Sequence, residues 1–340
     1  MPSTAVSSTA LQRQAARGGT DARARADASV PPPPGGIPLP SLHTPLRDVV
    51  AALQARGDAA AKCRLFTEYA YCAAQQRSAR DLLRMAEWRE SQLAAATTDR
   101  ERADAARSLH GVDQGLQMAE IGEGAEHCRD VVVPSSDERL RDLRDAALAG
   151  HVPSMSLYAR GVGFTGRLRQ LPQLRAYRGE AEGFAIAAAR AGDLESLFAL
   201  ASAYDPDGAS GSLLGQAVAQ DAGKALSYYL QLRELYADDA RPEAGFARDY
   251  LDQRIAVLTE TAAPGLRATA QRAARERLAR WRRPALSARV HVAGVSGPAS
   301  ENMMRGACAP DGEQADGEFF LTLPDGTLAA PRDATMDTAR

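Results

Sequence analysis

Histidine and cysteine are the side chains in this sequence best suited to proton transfer, nucleophilic attack or metal binding, and their spacing decides which of these it can support. The five histidines, His43, His110, His127, His151 and His291, stand without a serine or cysteine partner in any recognisable nucleophile turn. His127 and Cys128 are adjacent, so they point in different directions on a helix, and no C-x-x-C or H-x-x-x-H spacing joins them. No metal, cofactor or catalytic residue is therefore expected. Cys63 and Cys72, nine positions apart, fall on opposite sides of one continuous helix at about 100° per residue, so they do not bond each other. Cys72, near a helix end, is placed to meet Cys128 across a helical hairpin if the compartment is oxidising. Buried free thiols are the alternative.

Three further stretches carry motif-like spacing. Gly161-Val162-Gly163-Phe164-Thr165-Gly166 matches G-x-G-x-x-G, but helix rather than strand is expected before it, so a loop closing a helix replaces the dinucleotide reading. Asp205-Pro206-Asp207-Gly208 lacks the further oxygen ligands of a calcium loop and reads as a turn. The stretch Leu266–Arg283 sets Arg267, Arg272, Arg275, Arg277, Arg280, Arg282 and Arg283 against Glu276. Ala270, Ala274, Leu278 and Trp281 form its apolar stripe, leaving Arg272, Arg275, Arg280 and Arg283 as a candidate basic patch for an acidic partner.

These residues need elements to position them, and composition points to helices. Aromatic residues make up only 5% of the chain, so close packing must come from Ala and Leu, which suits helix against helix. The net charge of −2 gives no global pull toward nucleic acid, which is disfavoured as a partner. No apolar run is long enough to span a bilayer. The first residues lack the apolar core of a secretory signal, so the cytoplasm is the default expectation and the periplasm the alternative.

Residues 1–44, rich in Ala, Arg and Ser and containing Pro31-Pro32-Pro33-Pro34, are expected as a disordered arm, with Thr44 capping the first helix. An N-terminal helical segment follows over 45–130, with Gly57 ending its first helix. A second helix is expected in 59–72 and another in 77–96. Capping boxes are expected at Thr98-Asp99-Arg100-Glu101 and Ser135-Ser136-Asp137-Glu138. Helices are predicted over 178–190, 194–204, 222–236, 242–261 and 266–283, with a loop at 209–215. Beyond Pro284 the alternation of Val290, Val292 and Val295, and the turn Pro324-Asp325-Gly326, predict a small irregular tail with a β-hairpin over 284–331, then a disordered end over 332–340.

Within this frame three segments align without gaps: GDAAAKCRLFTEY from Gly57, GHVPSMSLYARGV from Gly150 and GDLESLFALASAY from Gly192. Each opens on glycine. A small residue follows at Ala61, Ser154 and Ser196, and large ones at Leu65, Tyr158 and Leu200, then at Tyr69, Val162 and Tyr204. The glycine ends one helix in a left-handed turn, the small residue admits the next, and the large ones fill the groove. The pattern, best over 135–261, resembles the Sel-one-like repeats, short relatives of the tetratricopeptide repeats. That resemblance implies an all-α fold, an irregular α-solenoid of helical hairpins, with a repeat region over 135–283. It also implies a non-catalytic scaffold or adaptor that binds another protein or peptide, with Arg160, Arg190, Tyr228, Tyr229 and Arg233 as candidate contacts. The alternatives are a structural cell-envelope component, or an enzyme using His127, Cys128 or Cys308.

Overall fold

The computed structural model describes residues 37–164, 170–208, 212–237, 242–260, 262–281, 305–308, 321–322 and 328–329. The described chain is 77% helical, so the fold is all-α. Its twelve helices are α1 Leu46–Arg56, α2 Ala59–Ala95, α3 Asp99–Ile121, α4 Glu123–His127, α5 Ser136–Leu148, α6 Val152–Ala159, α7 Leu171–Arg190, α8 Leu194–Tyr204, α9 Leu213–Ala217, α10 Ala222–Leu235, α11 Pro242–Glu260 and α12 Leu266–Ala279. Leu321–Thr322 and Leu328–Ala329 pair antiparallel. The turn expected at Pro324-Asp325-Gly326 lies outside the described residues.

Contacts divide the chain into two units, with the boundary inside α5 at Arg139 and Leu140. In the first, α2 is a single 37-residue helix where two were expected, because nothing between Cys72 and Arg77 breaks it. α1 packs on its first half and α3 runs along its second. The core gathers Leu46, Tyr69, Tyr71, Cys72 and Cys128, with Ile37, Leu53, Ala60 and Ala61 beside it. Residues 37–44 are bound to this unit rather than forming part of a loose arm. Pro45 precedes α1 without a side-chain cap, where Thr44 was expected to supply one. The C-terminal stretch 305–308, expected within a separate tail, also joins this unit.

In the second unit α6 packs on α7, α7 on α8, α8 on α10, and α10 on both α11 and α12. α9, expected as loop, is a short helix capped by the Ser212 hydroxyl, which accepts from the Gly215 N–H; it rests on α7 and α8. α7 begins at Leu171 rather than 178, because Pro172 is tolerated in a first turn. α12 ends at Ala279, short of 283.

The local signals form as physics requires. Gly57, Gly150 and Gly192 have φ of 61°, 88° and 104°, left-handed values that L side chains rarely adopt. Behind them Ala61, Ser154 and Ser196 are wholly buried. Tyr158, Leu200 and Tyr204 fill the interior of the second unit. Both capping boxes close reciprocally, with Glu101 accepting from the Thr98 N–H at 3.0 Å and Thr98 Oγ1 from the Glu101 N–H at 3.2 Å. Ser135 and Glu138 do the same at 2.9 and 3.3 Å.

Candidate functional site

Side chains in the second unit link four helices in sequence. Tyr204 of α8 donates its hydroxyl to Glu182 of α7. Its ring stacks on Tyr228 of α10 at 5.9 Å and 4°, and Lys224, one turn earlier on α10, lies 4.5 Å from the Tyr204 ring centre. Arg277 of α12 lies over the Tyr228 ring at 4.2 Å and donates to Gln231 Oε1 at 2.8 Å and Ser227 Oγ at 2.7 Å. Burial pushes the Tyr204 phenol up, and the Glu182 bond adds to this. Burial also raises Tyr228, against the pull of Arg277 and Arg190. Both tyrosines stay neutral, and Tyr204 serves as a donor. Lys224 and Arg190 remain exposed and Glu182 is half-exposed, so the buried ladder ends in a rim of charge at the surface.

A second knot holds α8, α10 and α11 together. Asp205 is buried and accepts from Arg254 at 2.7 and 2.9 Å and from the Tyr229 hydroxyl at 3.1 Å. Its Oδ1 also accepts from the Asp207 N–H at 3.0 Å, which makes Asp205-Pro206-Asp207-Gly208 a turn and not a metal loop.

The candidate contacts therefore divide. Arg190 and Tyr228 share one neighbourhood, but Tyr228 is only 8% exposed and Tyr229 is wholly buried. These two tyrosines are packing residues, a correction to their expected place at a binding surface. Arg160 pairs with Glu195 at 2.5 Å and Arg233 with Asp252 at 2.7 Å, away from the ladder. On α12, Arg272, Arg275 and Arg280 are exposed while Arg277 turns inward, and Arg283 lies outside the described residues.

The first unit encloses a buried ionic cluster. Glu68 and His127 are wholly buried, as is Arg64, and Arg305 is 3% exposed. Glu68 Oε2 accepts from Arg305 Nε at 2.8 Å and faces His127 Nε2 at 3.0 Å. The other ring nitrogen, Nδ1, lies 2.6 Å from the Thr44 carbonyl oxygen. Arg64 donates to the Ile37 carbonyl at 2.6 Å and the Arg305 carbonyl at 2.5 Å, and Arg305 to that of Pro40 at 2.8 Å. Burial alone would raise the Glu68 carboxyl, but the His127 bond and the two guanidinium groups outweigh it and hold it below its ordinary value.

Two disulfides frame this cluster. Cys72 bonds Cys128 and Cys63 bonds Cys308, with Cα atoms 5.2 and 5.8 Å apart. Cys63 and Cys72 face opposite ways along α2, as their spacing requires, and each reaches a different segment. His127, Cys128 and Cys308, the groups of the enzymatic alternative, are thus committed to the interior, and neither cysteine holds a thiol. Glu68, Arg64 and Arg305 escaped the sequence reading because an Arg and a Glu four apart look like any solvated helix pair. Among the described residues no group of three or more His, Cys, Asp or Glu side chains could hold a metal, and no helix is long and apolar enough to cross a membrane. Comparison of the chain with family models, with curated proteins and with solved structures gives no match.

Proposed function

We propose that the chain is a non-catalytic interaction scaffold whose second unit is an irregular α-solenoid of the Sel-one-like kind, presenting a face to another polypeptide. The observation that carries this reading is the ladder Glu182, Tyr204, Lys224, Tyr228 and Arg277, in which each of four successively packed helices contributes a side chain to the next. Such one-dimensional stacking builds extended surfaces without a central cavity. The left-handed glycine turns at Gly150 and Gly192 support the repeat reading. The pairing of Leu321–Thr322 with Leu328–Ala329 supports a short hairpin at the tail. Paired cysteines persist in oxidising surroundings, which favours the periplasmic alternative over the cytoplasm.

The test is affinity capture from the native source with the full chain and with an Arg190→Glu/Lys224→Glu variant. Both residues are exposed, but Lys224 also lies over the Tyr204 ring, so the variant must match the parent in circular dichroism and melting temperature for the comparison to count. The reading requires at least one polypeptide bound by the parent and lost at least tenfold by the variant. An unchanged set of bound proteins, or none bound by either, would overturn it.

A further inference from the structure

The first turns of α7 and the short α9 enclose a groove of about 240 Å³ in the second unit. Leu171 and Leu174 from α7 and Leu213 and Ala217 from α9 give it an aliphatic side, and Tyr177 and Gln216 complete the lining with two arginines. Leu171 is 50% exposed, an uncommon placement for a leucine beside so much apolar surface. Along the same rim stand Arg175 and Arg178, three positions apart on α7 and therefore neighbours on its surface; both are exposed. Neither makes an ion pair among the described residues, whereas Arg144, Arg160, Arg233 and Arg254 of this unit pair with Glu180, Glu195, Asp252 and Asp205. Apolar surface and two cations without an ion pair among the described residues thus meet at one place.

Gly161, in the glycine-rich stretch expected as a loop closing a helix, explains how this wall is held. Gly161 has φ of 78°, and a Cβ there would lie 2.9 Å from Leu213, closer than side chains tolerate. The glycine lets α9 settle against the end of α6, which sets Leu213 beside α7.

The geometry points to a docking groove for an acidic, aliphatic peptide segment of another protein: one aliphatic side chain in the groove, and flanking Asp or Glu carboxylates on Arg175 and Arg178. Its volume is below the ~300–1,000 Å³ of small-molecule sites, so it suits a single side chain rather than a cofactor. Planar guanidinium forks favour carboxylates, and the apolar walls separate this ligand from a purely polyanionic one. This assignment rests on the scaffold reading and names one site within it.

The test selects displayed random peptides on the full chain, then measures the best synthetic peptide by fluorescence anisotropy. Enriched sequences should place a Leu, Ile or Val within two positions of Asp or Glu. Affinity should fall at least tenfold in Arg175→Glu/Arg178→Glu and in Leu171→Glu, with unchanged circular dichroism and melting temperature. Arg175→Gln/Arg178→Gln supplies the milder variant should the charge reversal disturb folding. No enrichment, enrichment of basic peptides, or affinity indifferent to these substitutions would overturn the site. Loss of the arginines without effect of Leu171→Glu would also overturn it, since charge alone would then explain binding. Should the groove fail while the parent still captures a partner through Arg190 and Lys224, the scaffold reading stands. Should capture fail as well, both fall.

Discussion

Glu68 is the acceptor on which a buried group of cations depends. Arg305 and His127 converge on one of its oxygens and Arg64 approaches the other at 3.5 Å, while Arg64 also donates to the carbonyls of 37 and 305 and Arg305 to that of 40, and the Arg64 Nε makes no hydrogen bond among the described residues. Replacing Glu68 by Gln leaves those cations uncompensated, and breaking a buried pair in this way costs about 3–5 kcal/mol. Denaturant unfolding at neutral pH should show a loss of that order. Because the folded carboxyl is held below its ordinary value of 4.5, its contribution is present above that value and lost as pH falls through the folded one. The Glu68→Gln variant should therefore lack that part of the acid-induced destabilisation. A variant as stable as the parent, with the same acid limb, would contradict the assignment. None of this was legible in the sequence, since Arg305 lies 237 positions from Glu68 and nothing local distinguishes either.

At the scale of elements the sequence was far more legible, and for a physical reason. Capping boxes, glycine turns and first-turn prolines act within a few residues, so Thr98 with Glu101 and Gly192 with Ser196 could be read directly and formed. What failed was continuity. α2 runs unbroken past Cys72, α7 starts seven residues early, and α9 replaces a loop, because neighbouring helices decide where weak local signals yield. α2 is also the rod that carries both disulfides, each closing on a different segment. Replacing Cys72 and Cys128 together by Ala should lower stability by about 2–5 kcal/mol. Thiol titration of the denatured parent, isolated without reductant from its native compartment, should find no free thiol, and four after reduction. Four reactive thiols before reduction would contradict the pairing.

Taken whole, the chain divides its labour. In the first unit, residues 37–44, α2, α4 and 305–308 close on a charged core and two disulfides. The second is built from side chains handed from helix to helix. Of the large positions in the aligned segments, Tyr69, Tyr158, Leu200 and Tyr204 are buried while Leu65 and Val162 are only partly so. The repeat register also led Tyr228 and Tyr229 to be read as surface, because a helix in such a succession buries two faces and a single sequence does not show which tyrosine meets a neighbour. The rim left at the surface is Arg190, Lys224 and Glu182, and the account turns on whether that rim meets another protein. Site-specific photo-crosslinking tests it most directly, with a photoreactive residue at position 190 or 224 and, as a control, at the exposed position 87 on α2. The scaffold account predicts a discrete polypeptide adduct from 190 and 224 in the native compartment and none of the same mass from 87. No adduct from either rim position, or the same adduct from all three, would contradict it.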